Sequence, residues 1–92
     1  MEEKKFKVII VEDVKLELKG TEEIFRHEIP NAEVIGTAMT EQEFWPLIEA
    51  GVPDLVLLDL GLGGSTTIGV DICRNIFKRY PGVHVLIFTG EI

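Results

Sequence analysis

Pro53-Asp54-Leu55-Val56-Leu57-Leu58-Asp59-Leu60-Gly61-Leu62-Gly63-Gly64 is the stretch on which the fold turns. An uninterrupted apolar run, bounded by proline on one side and glycines on the other, reads as a strand buried on both faces of a parallel sheet. It delivers a carboxylate, Asp59, to its carboxyl end, where open α/β sheets place their ligand and reaction sites. The glycines that follow leave the space above Asp59 open.

Working outward, Phe6 to Val11 is a second short apolar, β-branched run of the buried-strand kind. It also ends in acid. Glu12 and Asp13 stand at its carboxyl end, so if the two strands are parallel neighbours, three carboxylates converge. A third run, Val83 to Phe88, is apolar throughout and ends in Thr89-Gly90-Glu91. Between Ala32 and Thr37 apolar and polar residues alternate, the half-exposed pattern of an outer strand.

Three helical stripes separate these runs. Val14, Leu18, Thr21, Ile24 and Phe25 recur at spacings of three and four, with Leu16 on the far side and Glu28 and Pro30 at the end. Thr40-Glu41-Gln42-Glu43 is a capping box that opens a second helix carrying Phe44, Leu47 and Ile48 inward. Pro46 falls inside that helix and either kinks it or delays its start. Ser65-Thr66-Thr67 reads as loop. After it, Val70, Cys73, Ile76, Phe77 and Tyr80 form a third stripe that Pro81-Gly82 ends. The order β-α-β-α-β-α-β, with no repeat or linker, predicts one α/β domain with right-handed crossovers on a parallel sheet.

Composition excludes several classes. The formal charge of −7 repels nucleic acid and anionic membrane surfaces, so neither is an expected direct partner. With no apolar span of membrane length and the lone Cys73 unable to form an internal disulfide, a reducing cytoplasm is the expected location.

Glu12 and Asp13 taken singly could start a turn or cap a helix. Together with Asp59 they form a cluster of like charges whose natural relief is a hard, oxygen-ligated cation such as Mg²⁺. Thr89 is either an ordinary strand-end residue or a hydroxyl that donates to a group attached to the neighbouring carboxylate. His27 and His84 have no companions at metal-ligand spacing, and Cys73, on its helix's stripe, reads as a core residue.

Val-Ile-Ile-Val-Glu12-Asp13, Pro53-Asp54-Leu-Val-Leu-Leu-Asp59-Leu-Gly61-Leu and Val-Leu-Ile-Phe-Thr89-Gly90, in that order and spacing, resemble the receiver domain of two-component response regulators. Ala32-Glu33-Val34-Ile35-Gly36-Thr37-Ala38 and the Tyr80-Pro81-Gly82-Val83 turn are similar to the subgroup often joined to a helix-turn-helix domain. The resemblance implies a three-layer, flavodoxin-like sheet. It makes Asp59 the phosphoacceptor and Thr89 the switch hydroxyl that bonds the phosphoryl group. Glu12, Asp13, Asp59 and the Gly61 carbonyl become the Mg²⁺ ligands, and a histidine kinase or small phosphodonor supplies the phosphoryl group.

Family receivers continue past the fourth strand with a helix, a fifth strand bearing a lysine, and a last helix. The 92 residues stop before these, so the expectation is a truncated (βα)3β domain over 1–92 with sheet order 2-1-3-4. Gly63 also replaces a proline usual in the family, and the loop running to Gly69 is longer than usual. Two functions stay open: a phosphoacceptor receiver, or a pseudo-receiver that serves as a dimerisation or assembly module without phosphorylation. An aspartate-nucleophile phosphatase would want a second carboxylate two residues after Asp59, where Gly61 stands, so no enzyme is expected. The fourth strand, apolar on both faces and uncovered at its edge, is expected to pair with a second copy as a homodimer.

Overall fold

The computed structural model describes residues 5–88, over which four strands alternate with three helices. The strands β1 (Phe6–Val11), β2 (Ala32–Ala38), β3 (Leu55–Asp59) and β4 (His84–Phe88) form one parallel sheet in the order β2-β1-β3-β4. The helices are α1 (Lys15–Glu28), α2 (Glu41–Ala50) and α3 (Thr66–Arg79), with a short 3₁₀ turn at Leu62–Gly64. This is the expected three-layer, flavodoxin-like arrangement.

Alternation along β1 and β3 creates two cores, one on each face of the sheet. Val8, Ile10 and Leu57 meet Leu18 and Phe25 of α1 on one face. On the other, Ile9, Val11, Val56 and Leu58 meet Phe44 and Ile48 of α2 and Ile72 and Ile76 of α3. Each such side chain taken from water contributes about 1.5–3 kcal/mol, so the two middle strands anchor the domain.

The helix starts follow local chemistry. Thr40 Oγ1 accepts the Glu43 amide at 3.1 Å, and Glu43 Oε1 accepts the Met39 amide at 2.8 Å, one residue earlier than the usual reciprocal bond. α2 therefore begins where the capping box places it. Pro46 sits inside the helix on its exposed side, four residues after the exposed Gln42, and has no amide to give the Gln42 carbonyl. Ser65 caps α3, its Oγ accepting the Thr67 amide at 3.2 Å, so Thr66 and Thr67 belong to the helix and not to a loop.

The buried stripe of α3 differs from the expected one. Gly69, Ile72 and Ile76 are buried, Cys73 and Tyr80 only partly so, while Val70 is 41% and Phe77 77% exposed. The rotation follows from Gly69, where an added Cβ would lie 2.9 Å from the Leu60 carbonyl oxygen. The helix presses its glycine against the end of β3, which turns Ile72 inward and Phe77 outward. In α1, Leu16 is exposed as expected, but Ile24, and Val14 just before the helix, are also about half exposed. β2 is an outer strand. β4 is the opposite edge, with Leu86 55% exposed on one face and Ile87 43% on the other.

Candidate functional site

Parallel pairing of β1 with β3 sets Val11 beside Leu58, so the next residues, Glu12 and Asp59, emerge together at the carboxyl ends of adjacent strands. Asp13 follows Glu12. Each of the three offers a carboxylate oxygen, and these atoms lie within 4.8 Å of one another. Glu12 has no exposed surface, Asp59 is 6% exposed, and Asp13 is half-buried at the rim.

Backbone amides hold this cluster. The Val14 amide donates to Glu12 Oε1 at 3.0 Å, and the Gly61 amide to Asp59 Oδ1 at 3.0 Å. From the turn after β3, the Gly63 amide donates to Asp13 Oδ2 at 3.0 Å. Two further bonds fix the frame: Glu12 N–H to the Ala38 carbonyl at 3.0 Å, and Leu60 N–H to the Phe88 carbonyl at 2.8 Å.

Burial pushes the Glu12 carboxyl up to about 7, and the neighbouring Asp59 charge adds to the rise, partly offset by the Val14 amide. Glu12 Oε2 is buried and has no hydrogen-bond partner. An orphaned carboxylate oxygen, facing a second buried carboxylate and a third at the rim, is a donor set of hard oxygens that suits Mg²⁺. The turn beside Asp59 is uncrowded at Gly61, where an added Cβ would meet nothing nearer than Asp59 Oδ1 at 3.6 Å.

Of the residues read from the sequence, Glu12, Asp13, Asp59 and Gly61 come together. The Gly61 carbonyl accepts the Gly64 amide at 2.9 Å, which leaves one lone pair for another partner. Thr89 and Gly90 lie outside the described residues. His27 sits on the exposed side of α1, 3.0 Å from Glu23. What the sequence reading missed is the bond from Gly63 to Asp13. Its only signal was the Gly63-Gly64 pair, whose φ values of 71° and 77° make a turn that glycine favours.

Fold and site together define a class: a doubly wound parallel sheet carrying an acidic pocket at the ends of its first and third strands. The family model of the response regulator receiver domain matches residues 8–92, and the chain belongs to that family. Among curated relatives it is 30% identical over 87 residues to the transcriptional regulatory protein DegU of Brevibacillus brevis, covering 95% of this chain and 36% of that protein. It is 35% identical over 74 residues to the aerobic respiration control sensor protein ArcB of Escherichia coli, covering 80% of this chain and 9% of ArcB. The crystal structure of the signal receiver domain of a DNA-binding response regulator (merR) from Colwellia psychrerythraea superposes with a TM-score of 0.81 at 26% identity, covering 95% of this chain and 70% of that one. The chain thus spans about a third of the length of DegU and most of an isolated receiver domain.

Proposed function

We propose that this chain is a signal-transduction receiver that accepts a phosphoryl group on Asp59, with Mg²⁺, from a histidine kinase or a small phosphodonor. The observation that carries this reading is the buried, unpartnered Glu12 Oε2 beside Asp59 at the ends of paired strands. Glu12, Asp13, Asp59 and the Gly61 carbonyl would hold the ion, which when bound neutralises charge on the transferring phosphoryl oxygens.

The chain's own groups account for the rest. Asp59 Oδ1 is engaged by the Gly61 amide, which leaves Oδ2 as the nucleophile. Oδ2 forms the bond to phosphorus as the donor's bond to phosphorus breaks, and the leaving group keeps that electron pair. Thr89 would then bond a phosphoryl oxygen. Intact-mass measurement after incubation with acetyl phosphate and Mg²⁺ tests this: a single added phosphoryl group, absent in Asp59→Asn, is expected.

Receiver domains are signalling modules, and we read this one as relaying its state through a protein–protein surface in the cytoplasm, touching neither nucleic acid nor membrane. A net charge of −7 supports that, and no helix among the described residues is long and apolar enough to cross a membrane.

A second reading, an assembly module without phosphorylation, is favoured by the β4 edge. Leu86 is exposed on one face, and Val70, Phe77 and Ile87 with Cys73 and Arg74 line an apolar groove on the other. An unpaired edge strand with apolar residues on both faces is a template for a second copy, and we read this edge as the homodimer surface. Phosphorylation of Asp59 separates the two readings.

A further inference from the structure

Two of the three site carboxylates are enclosed and held by amides of their own strand ends. Asp13 is not. It is half-buried at the rim, and the hydrogen bond to its carboxylate comes from a residue fifty positions away, the Gly63 amide at 3.0 Å. Gly63 takes φ 71° and ψ 15°, and a Cβ added there would lie 2.7 Å from Ile68 Cδ1. The bond from the Gly64 amide to the Gly61 carbonyl at 2.9 Å closes the turn and aims the Gly63 N–H at Asp13. Gly63 also faces a cleft of about 150 Å³ between this turn and the start of α2, lined by Met39, Thr40, Glu41, Gln42, Leu62 and Ile68.

The spacing has a consequence for any octahedral Mg²⁺. Ligand oxygens about 2.1 Å from the ion stand at most ~4.2 Å apart, whereas the carboxylate atoms here span up to 4.8 Å. Capture therefore needs a contraction. Glu12 and Asp59 are buried at their strand ends, so Asp13, half-buried at the rim, is the ligand with most room to move. Asp13 Oδ2 is the oxygen that the Gly63 amide holds, so its recruitment by an ion competes with that bond. An amide bonded to a carboxylate also withdraws electron density from it and weakens it as a donor to a cation.

We infer that Gly63 is a positioning residue for Asp13: its amide holds Asp13 at the rim of the ion-free site, and ion capture exchanges that amide for the cation. The β3–α3 turn is released as the ion binds, and with it one wall of the cleft beside α2. This rests on the ion site proposed above.

NMR of the intact chain, titrated with MgCl₂, tests it. In the ion-free protein, Asp13→Asn is expected to shift the Gly63 amide proton upfield, because a neutral acceptor replaces a charged one. In the parent, Mg²⁺ is expected to shift the same proton upfield along with signals of Glu12 and Asp59. If Mg²⁺ perturbs Glu12 and Asp59 while the Gly63 amide stays in place, the coupling is wrong and the ion site stands. If no residue of the pocket responds, the ion site itself fails and this inference with it. The parent titration needs no variant, so it separates these outcomes by itself.

Discussion

Glu12 and Asp59 stand side by side at the carboxyl ends of two hydrogen-bonded parallel strands, the first with no exposed surface and the second 6% exposed. Burial, reinforced by the Asp59 charge, favours the neutral form of Glu12 and raises its pKa from 4.5 to about 7. Because the folded value lies above the unfolded one, the native state binds the extra proton between these limits. The stability this provides is whole below 4.5 and is lost as pH rises through 7. Glu12→Gln should match the parent near pH 4.5 and exceed it in alkaline solution, by on the order of 3 kcal/mol, in urea unfolding followed across pH. Equal stabilities at all pH values would show that Glu12 carries no such penalty.

Mg²⁺ should raise the melting temperature, and more so at alkaline pH, because it binds the folded carboxylate cluster and not the unfolded chain. Asp13→Asn and Asp59→Asn each remove one charged ligand and are expected to weaken binding about tenfold or more. Calorimetric titration of the three proteins checks this. Indistinguishable responses would place the ion elsewhere.

Acetyl phosphate with Mg²⁺ should add the mass of one phosphoryl group to the parent and none to Asp59→Asn. Asp13→Asn should slow the addition without abolishing the acceptor. Addition to Asp59→Asn at the parent's rate would assign the acceptor to another residue, and no addition to the parent would favour the assembly module.

Leu86 and Phe77 lie on opposite sides of the sheet at the β4 edge, 55% and 77% exposed. If that edge joins two copies, light scattering at micromolar concentration should report a dimer, and Leu86→Lys with Phe77→Lys should convert it to a monomer. Both side chains are exposed in the single chain, so the monomeric variant should keep the parent's secondary structure by circular dichroism. A parent that is monomeric, or a dimer indifferent to both lysines, removes this edge from consideration.

Gly69 touches the backbone of the residue after Asp59, with no room for a methyl group 2.9 Å from the Leu60 carbonyl oxygen. Gly69→Ala should cost about 1–3 kcal/mol through displacement of α3, read as a lower urea midpoint with an unchanged slope. A neutral or stabilising alanine would mean that the helix start gives way freely.

Much of this molecule was legible from residue pattern. The apolar runs at Phe6–Val11 and Leu55–Asp59 have the length and β-branched or apolar composition of buried parallel strands, and the Thr40–Glu43 box marks a helix start by local bonding alone. Local chemistry of this kind depends on neighbours within a turn, so one sequence suffices to read it. The acids at the strand ends followed from the same reading, because strand polarity fixes which end of a parallel sheet they share.

Tertiary structure decided the rest. The stripe of α3 turned to Ile72 because Gly69 meets the Leu60 backbone, a contact between segments that hydrophobic spacing does not encode. The proton on Glu12 depends on how deeply packing removes it from water and how near Asp59 comes, both of which are distances in space. The bond from Gly63 to Asp13 joins residues fifty positions apart, and only closure of the sheet brings them within 3.0 Å. Periodicity records which way a side chain points from its own element, whereas what it meets there is set by the elements packed against it.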